Sequence, residues 1–307
     1  ASASAGPASA SASAGPATVP AAVARPEERA LERVLERDGT LLLRPGEAEI
    51  EPELSFTRRE DDAPVLVTGG GASFFIGEDE VRRNEYTGSL ALRVGLPLDS
   101  QLEVSLPYRY VDQSTVTELG FGEARDIDAD GHGAGDLVLA AAKTVTRQKG
   151  WRPDLVGRVW WDTRTGETRD DGVPLGGGFD ELGVAVSALR RQDPLAFFAA
   201  LSYETTLERK RVNPGDEVGL RLGAALAVSP ETSLRLSVDQ RFAQEAEVRG
   251  DEVGGSDRTA ATLSLDAASV LGRGVLVDVG FDIGLTDDAP DYTARVSVPI
   301  RFDLPVF

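Results

Sequence analysis

Cysteine and methionine are both missing from the 307 residues, and histidine occurs once. Without cysteine there is no disulfide framework, no thiolate metal site and no thiol nucleophile. The lone His132 lies in a glycine-rich stretch, and no G-x-S-x-G or comparable serine context accompanies it. A His-assisted nucleophile would have to rest on that one loop residue, so enzymatic activity is not expected. No run approaches the roughly 18 apolar residues that a membrane helix requires. A membrane β-barrel needs only alternation, which hydropathy averages conceal. Positive charge is scarce as well: 32 Lys and Arg against 51 Asp and Glu leave a net charge of -19. Such a chain repels nucleic-acid phosphates, and no basic stripe with interleaved aromatics is present. The start at Ala1 without methionine fits a secretory precursor cleaved after a small residue, as would a tag-trimmed chain.

What is present favours an all-β protein: 33 glycines and many short runs rich in valine and leucine. Residues 1–26 form a low-complexity Ala/Ser/Gly/Pro tail in which ASASAGP recurs as ASASASAGP, which reads as a flexible linker. Residues 27–46 hold a short helix and a lead-in. Pro26, Glu27 and Glu28 suit a helix start, Leu31, Val34 and Leu35 share one face, and Gly39 stops it. So short a helix must dock to persist. It either occludes the mouth of a barrel or pairs with another copy or a partner.

From residue 47 to 307 the period is two. Val275, Val277, Val279, Phe281, Ile283 and Leu285 oppose Asp278, Gly280, Asp282 and Gly284. This reading gives a twelve-stranded antiparallel up-and-down transmembrane β-barrel, with strands over 47–59, 82–96, 100–112, 135–147, 153–164, 179–191, 194–208, 216–229, 232–246, 257–270, 273–286 and 290–302. Tight junctions such as 96–101, 148–153, 191–194, 229–232 and 271–273 alternate with long polar ones at 60–81, 113–134, 165–178, 209–215 and 247–256. That asymmetry is the mark of a bacterial outer-membrane barrel with periplasmic turns, and an even strand number puts both termini in the periplasm. A soluble β-sandwich or lipocalin-like barrel also alternates, with its apolar face inward. Strands of 12–15 residues, and Tyr86, Tyr108, Tyr110, Trp161, Tyr203, Tyr292 and Phe302 near strand ends, favour the membrane reading. The segment 60–81, with apolar Val65–Val67 and Phe74–Ile76, either folds inward or extends the rim.

Gly284–Phe302 (GLTDDAPDYTARVSVPIRF) resembles the closing strand of a large family of outer-membrane "transporter" proteins, grouped with channels of the meta-pathway of phenol degradation. Leu106–Tyr110 (LPYRY), Gly133–Asp136 (GAGD) and the helix-to-strand segment Glu32–Pro52 (ERVLERDGTLLLRPGEAEIEP) agree. The resemblance implies an outer-membrane barrel that passes small, often aromatic or apolar solutes. The chain departs from the family in its Ala/Ser tail and in the extension Asp303–Phe307 past the usual terminal phenylalanine.

With the apolar face on lipid, the lumen is lined by Glu49, Glu51, Glu53, Arg93, Glu103, Arg109, Arg158, Asp162, Glu204, Arg221, Arg235, Asp239, Arg241, Asp266, Asp278, Asp282, Arg295 and Arg301. Nearly balanced signs fit either a barrel closed by ion pairs or a narrow water-filled channel with a transverse field. Twelve strands leave a small lumen beside the 16–18 of a porin. Asp126, Asp128 and Asp130, followed by Gly131, copy the opening of a Ca²⁺ loop, although position 12 is Leu137 and Asp136 falls one short. A Ca²⁺ ion in 126–136 is the one cofactor considered, against a solvated acidic loop. Asp287 and Asp288 suit a turn cap. The expected partners are outer-membrane lipid, a small solute, and a second copy or periplasmic partner through residues 1–43. Two functions follow: a narrow channel for small solutes, or a structural barrel that anchors a partner through its tail, helix or loops.

Overall fold

Alternating side chains need a sheet that is apolar on one face and polar on the other, and closing that sheet removes its edges. The computed structural model describes residues 30–37, 39–69, 73–119, 123–271 and 275–305, with side-chain surroundings outside 62–79 and 118–125. It is a closed barrel of 12 antiparallel strands. These are β1 (Glu47–Gly69), β2 (Ser73–Leu96), β3 (Ser100–Leu119), β4 (Glu123–Ala134 and Val138–Thr146), β5 (Asp154–Asp162) and β6 (Glu181–Gln192). There follow β7 (Leu195–Thr206), β8 (Glu217–Ala227), β9 (Thr232–Ala243), β10 (Arg258–Leu271), β11 (Val275–Gly284) and β12 (Tyr292–Ser297 and Ile300–Asp303). Each strand pairs with the next, and β12 closes on β1 through Glu53↔Ser297 to Arg58↔Tyr292 and Glu47↔Asp303 to Ile50↔Ile300.

Burial settles which face is outside. Leu54 is 66% exposed whereas Glu49 on the same strand is 2% exposed, so the apolar set points outward and the charged set inward. Leu90, Leu106, Val186, Leu222 and Val279 continue the outer apolar surface. Taking each such side chain out of water is worth about 1.5–3 kcal/mol, so a bilayer stabilises this barrel where water would not. The soluble alternative is thereby excluded. An aromatic row on the outer face runs Phe281, Tyr292, Phe56, Tyr86 and Tyr110, with successive ring centroids 5.9, 5.8, 4.9 and 6.1 Å apart. It crosses β11, β12, β1, β2 and β3 at one level, as an interfacial girdle does.

Above that girdle the strands continue where the sequence reading places loops. Of segment 60–81, residues 60–69 and 73–81 are the paired ends of β1 and β2, in register to Gly69↔Ser73. Of segment 113–134, residues 113–119 and 123–134 are likewise strand, with β3 and β4 paired to Leu119↔Glu123. Outside a bilayer both sheet faces are wetted, so alternation is not imposed there and the period fades while the pairing persists. Strand β4 accordingly begins at Glu123, not 135, and breaks over 135–137 opposite Pro107, which has no N–H to give. Gly135 N bonds to Pro107 O instead, at 2.8 Å. Loops 209–215 and 247–256 pair with each other, Val212↔Val248, to form a small ribbon.

The helix α1 spans Ala30–Arg37. Residues 27–29, the tail 1–26 and the last two residues lie outside the described residues. Gly39, at φ +67°, takes the left-handed turn that ends the helix, and Thr40 N and Leu41 N bond back to Leu35 O.

Candidate functional site: the barrel lumen

The helix does not lie outside the barrel. Leu31 and Leu35 pack on Leu189, Ala196, Phe198 and Ala225, while Ala30 and Val34 pack on Ala268 and Leu276. These residues stand at the tight-turn ends of β6–β8, β10 and β11, so α1 fills the lumen at that end. Sequence reasoning missed this pad. Its signal is a local loss of alternation, as in Val275-Leu-Val277 and Ala196-Phe-Phe198, where both faces turn apolar next to a turn. Glycine makes room for it: a Cβ at Gly223 would lie 2.2 Å from the Phe198 ring.

The polar side of α1 meets the inner charges. Arg37 reaches Glu51 (2.6 Å), Glu53 (2.7 Å) and Asp278. Burial works against the charge on Arg37, but Glu51, Asp278 and Glu53 together raise its pKa above the ordinary arginine value. Arg93 bridges Glu49 (2.9 Å) and Glu51 (2.5 Å) and touches Glu103 at 3.5 Å. Arg301 joins Glu49 at 2.8 Å to Glu36 of the helix at 2.6 Å. Asp266 accepts from Arg235 at 2.9 Å and Arg295 at 2.6 Å, and Arg295 also holds Asp282. Glu49, Glu51, Arg93, Arg235, Asp266 and Asp278 are all buried. Such charges survive burial only when matched, and removing one partner costs about 3–5 kcal/mol. The floor of the lumen is thus a charge-matched seal built around α1.

Above it lies a cavity of about 720 Å³. Its lining runs from Arg37, Arg93 and Phe198 at the floor to Arg59, Arg258 and Asp288 at the loop end. Arg158, paired with Glu103 at 3.1 Å, Arg221, paired with Asp239 at 2.6 Å, and Arg241, 3.6 Å from Glu217, line it between. Arg109 donates to Leu175 O at 2.5 Å, and Glu204 accepts from Trp160 Nε1 at 2.6 Å. The Trp160 ring lies over Gly183, where a Cβ would come within 2.0 Å of it. Asp162 ends β5, within electrostatic reach of Asp136 and Glu204.

The segment that folds inward at the mouth is 163–180, which the sequence does not single out. Val173 and Leu175 bury against Val111 on the inner face of β3, and Arg83 donates to Pro174 O at 2.8 Å. Asp170 accepts from His132 N at 3.0 Å, which gives the lone histidine a place beside this fold-over.

Asp126, Asp128 and Asp130 lie on β4 opposite Val116, Ser114 and Asp112, not in a loop. An extended chain sets alternate residues roughly 6–7 Å apart along one face, unlike the converging carboxylates of a Ca²⁺ loop. Among the described residues no three His, Asp or Glu side chains are placed to share a metal ion. Asp288 accepts from Thr259 N at 2.6 Å, and so ties the last loop to β10.

No family model matches the chain. Among solved structures it is similar to an outer membrane channel from Pseudomonas putida F1, with a TM-score of 0.65 and 16% identity over 85% of this chain and 97% of that one. The translocator domain of the autotransporter NalP from Neisseria meningitidis aligns at a TM-score of 0.46 and 13% identity, over 89% and 95% of the two chains. The transport unit of the autotransporter AIDA-I from Escherichia coli aligns at 0.43 and 12%, over 90% and 97%. The likeness to the Pseudomonas channel is one of fold: this chain is a closed twelve-stranded transmembrane β-barrel.

Proposed function

We propose that this protein is a narrow outer-membrane channel for passive passage of small solutes, with α1 controlling access at the turn end. The observation that carries the reading is the water-accessible cavity of about 720 Å³ that descends from the loop rim to Arg37 on the helix. Charged side chains lining such a cavity are the kind of groups that select solutes in a pore. With the tight turns facing the periplasm, as in bacterial outer-membrane barrels, α1 would stand at the periplasmic end of the lumen. Aromatic or apolar solutes, which the family resemblance implies, would find Phe198, Ala91, Ala243, Ala260 and Pro290 among otherwise mostly polar lining residues.

The test is conductance in planar bilayers. The full chain is expected to give discrete steps, and a chain lacking residues 1–43 larger ones, because the floor seal is gone. Silence from both forms would overturn the channel. The filled floor also favours a second reading, a non-transporting barrel that anchors an envelope partner. That reading predicts capture of a partner that depends on residues 1–43, together with the same electrical silence.

A further inference from the structure

One stretch of the tight-turn rim gathers the positive charge that the chain otherwise lacks. The turn 97–99, residues 143–154 and the end of β6 with its turn (188–193) hold Lys143, Arg147, Lys149, Arg152, Arg190 and Arg191 against Asp99, Asp154 and Asp193. The whole chain has a net charge of -19. These segments are neighbours. Thr144 N donates to Asp99 O at 2.9 Å, Arg147 forks onto the Asp99 carboxylate at 2.5 and 3.3 Å, and Arg190 donates to Trp151 O at 3.1 Å. Arg191 is held by Asp154 at 3.1 Å. Among the described residues no carboxylate pairs with Lys143, Lys149 or Arg152.

Two large apolar side chains stand among these cations. Leu98 and Asp99 both have positive φ, +64° and +55°, the backbone of a two-residue hairpin turn best filled by Asn-Gly. A leucine there is strained. Its side chain is 81% exposed, so in water neither its backbone nor its side chain gains from the placement. Trp151, in the next tight turn, is 76% exposed. Both gain at the boundary between acyl chains and headgroups, where tryptophan is enriched. Continuity with the lipid-facing wall points the same way. The outer row of β4 runs Leu139, Ala141, Lys143 and Val145, level with the exposed Val104 and Leu102 of β3. Lys143 thus stands where the apolar face runs out, with Ser100 and Gly157 beside it. A long basic side chain in that position lays its stem on acyl chains and its charge among phosphates.

We infer that this stretch of rim is a docking surface for anionic phospholipid headgroups of the periplasmic leaflet. Lys143, Lys149 and Arg152 meet the phosphates, and Leu98 and Trp151 seat at the boundary with the acyl chains. Basic residues at a membrane surface attract anionic lipid. A soluble acidic partner would reach Lys143 only by displacing the lipid that already covers Leu102 and Leu139. The choice of leaflet rests on the periplasmic orientation of the tight turns proposed above, and whether the lumen conducts does not enter.

Trp151 itself reports on the lipid beside it. Trp160→Phe with Trp161→Phe leaves it the only tryptophan in the full chain, and heat-modifiable migration in detergent reports that each variant barrel has closed. The protein is placed in vesicles of equal phosphatidylglycerol and phosphatidylcholine, with bromine on the chains of one lipid or the other. Brominated phosphatidylglycerol is expected to quench Trp151 about three times more than brominated phosphatidylcholine, as enrichment of anionic lipid by a basic cluster would give. Lys143→Gln, Lys149→Gln and Arg152→Gln together should bring the ratio towards one, whereas Lys210→Gln, Arg211→Gln and Arg249→Gln at the loop end should leave it unchanged. Equal quenching by the two lipids, quenching by neither, or a preference that survives the rim changes or is lost with the loop-end ones overturns the inference. Orientation is read separately. Lys149→Cys, the sole cysteine in such a chain, should react with a bulky polyethylene glycol maleimide only after the outer membrane of the cells is permeabilised. Labelling in intact cells overturns the orientation and the periplasmic leaflet with it, whatever the quenching shows.

Discussion

Arg37 concentrates the problem of a charged lumen in one residue. Three carboxylates converge on a guanidinium carried by a short helix, and two of them, Glu51 and Asp278, are buried. Arg37→Met keeps the bulk and removes the charge, leaving Asp278 without the arginine that reaches it. A loss of about 3–5 kcal/mol is expected from an uncompensated buried charge, read as a lower urea midpoint of barrel unfolding. An unchanged midpoint would mean that water reaches Asp278 and that the floor is not sealed. Gly183 offers a second test, because any side chain there strikes the Trp160 ring. Gly183→Ala should move the indole off Glu204 at a cost of about 1–3 kcal/mol, with a changed tryptophan emission as the direct readout.

At the scale of elements, the helix and the strands were legible to different degrees. The face of α1 formed by Leu31, Val34 and Leu35 is plain in the sequence, and its need for a dock follows from its length. Its destination is not plain, because Leu189, Phe198 and Leu276 look like ordinary members of apolar runs until the strands are closed around them. The twelve strands could be read because lipid on one side and water on the other enforce a period of two. Beyond the Phe56–Tyr86–Tyr110 girdle that constraint ends, and the continuing strands over 60–69, 73–81, 113–119 and 123–134 read as loops. The inward fold of 163–180 was hidden for a related reason: Val173 and Leu175 are its main apolar anchors, too few to form a pattern. The docking itself is testable. Leu31→Ser with Leu35→Ser removes most of the apolar contact with β6–β8, and each buried leucine lost costs about 2–5 kcal/mol. The helix should leave the lumen while the barrel persists, seen as new protease cleavage between residues 30 and 40 and a larger single-channel conductance. Protection equal to that of the unaltered protein would show that the ion pairs alone hold α1.

For the whole molecule, the decisive claim is that the apolar face meets lipid, and a pair of substitutions, one on each face of the sheet, can test it. Leu222 sits midway along β8, is 52% exposed, and pairs with Ala199 and Val238. Ala260 on β10 faces the cavity directly opposite Arg241. Leu222→Arg puts a charge at mid-barrel depth in hydrocarbon, which is expected to cost about 2–4 kcal/mol and to slow assembly into bilayers. Ala260→Glu puts a charge into water beside a half-exposed guanidinium, and should shift stability by less than about 1 kcal/mol. Were the barrel soluble with its charged face outward, Leu222→Arg would bury a charge in a protein core and Ala260→Glu would remain mild, so stability alone does not separate the two. The medium does: in the membrane case the cost of Leu222→Arg falls as lipid chains are shortened and the midplane thins, whereas a protein core is indifferent to chain length. A penalty that does not change between short-chain and long-chain lipid would therefore overturn the transmembrane assignment, and with it every functional reading built on the lumen.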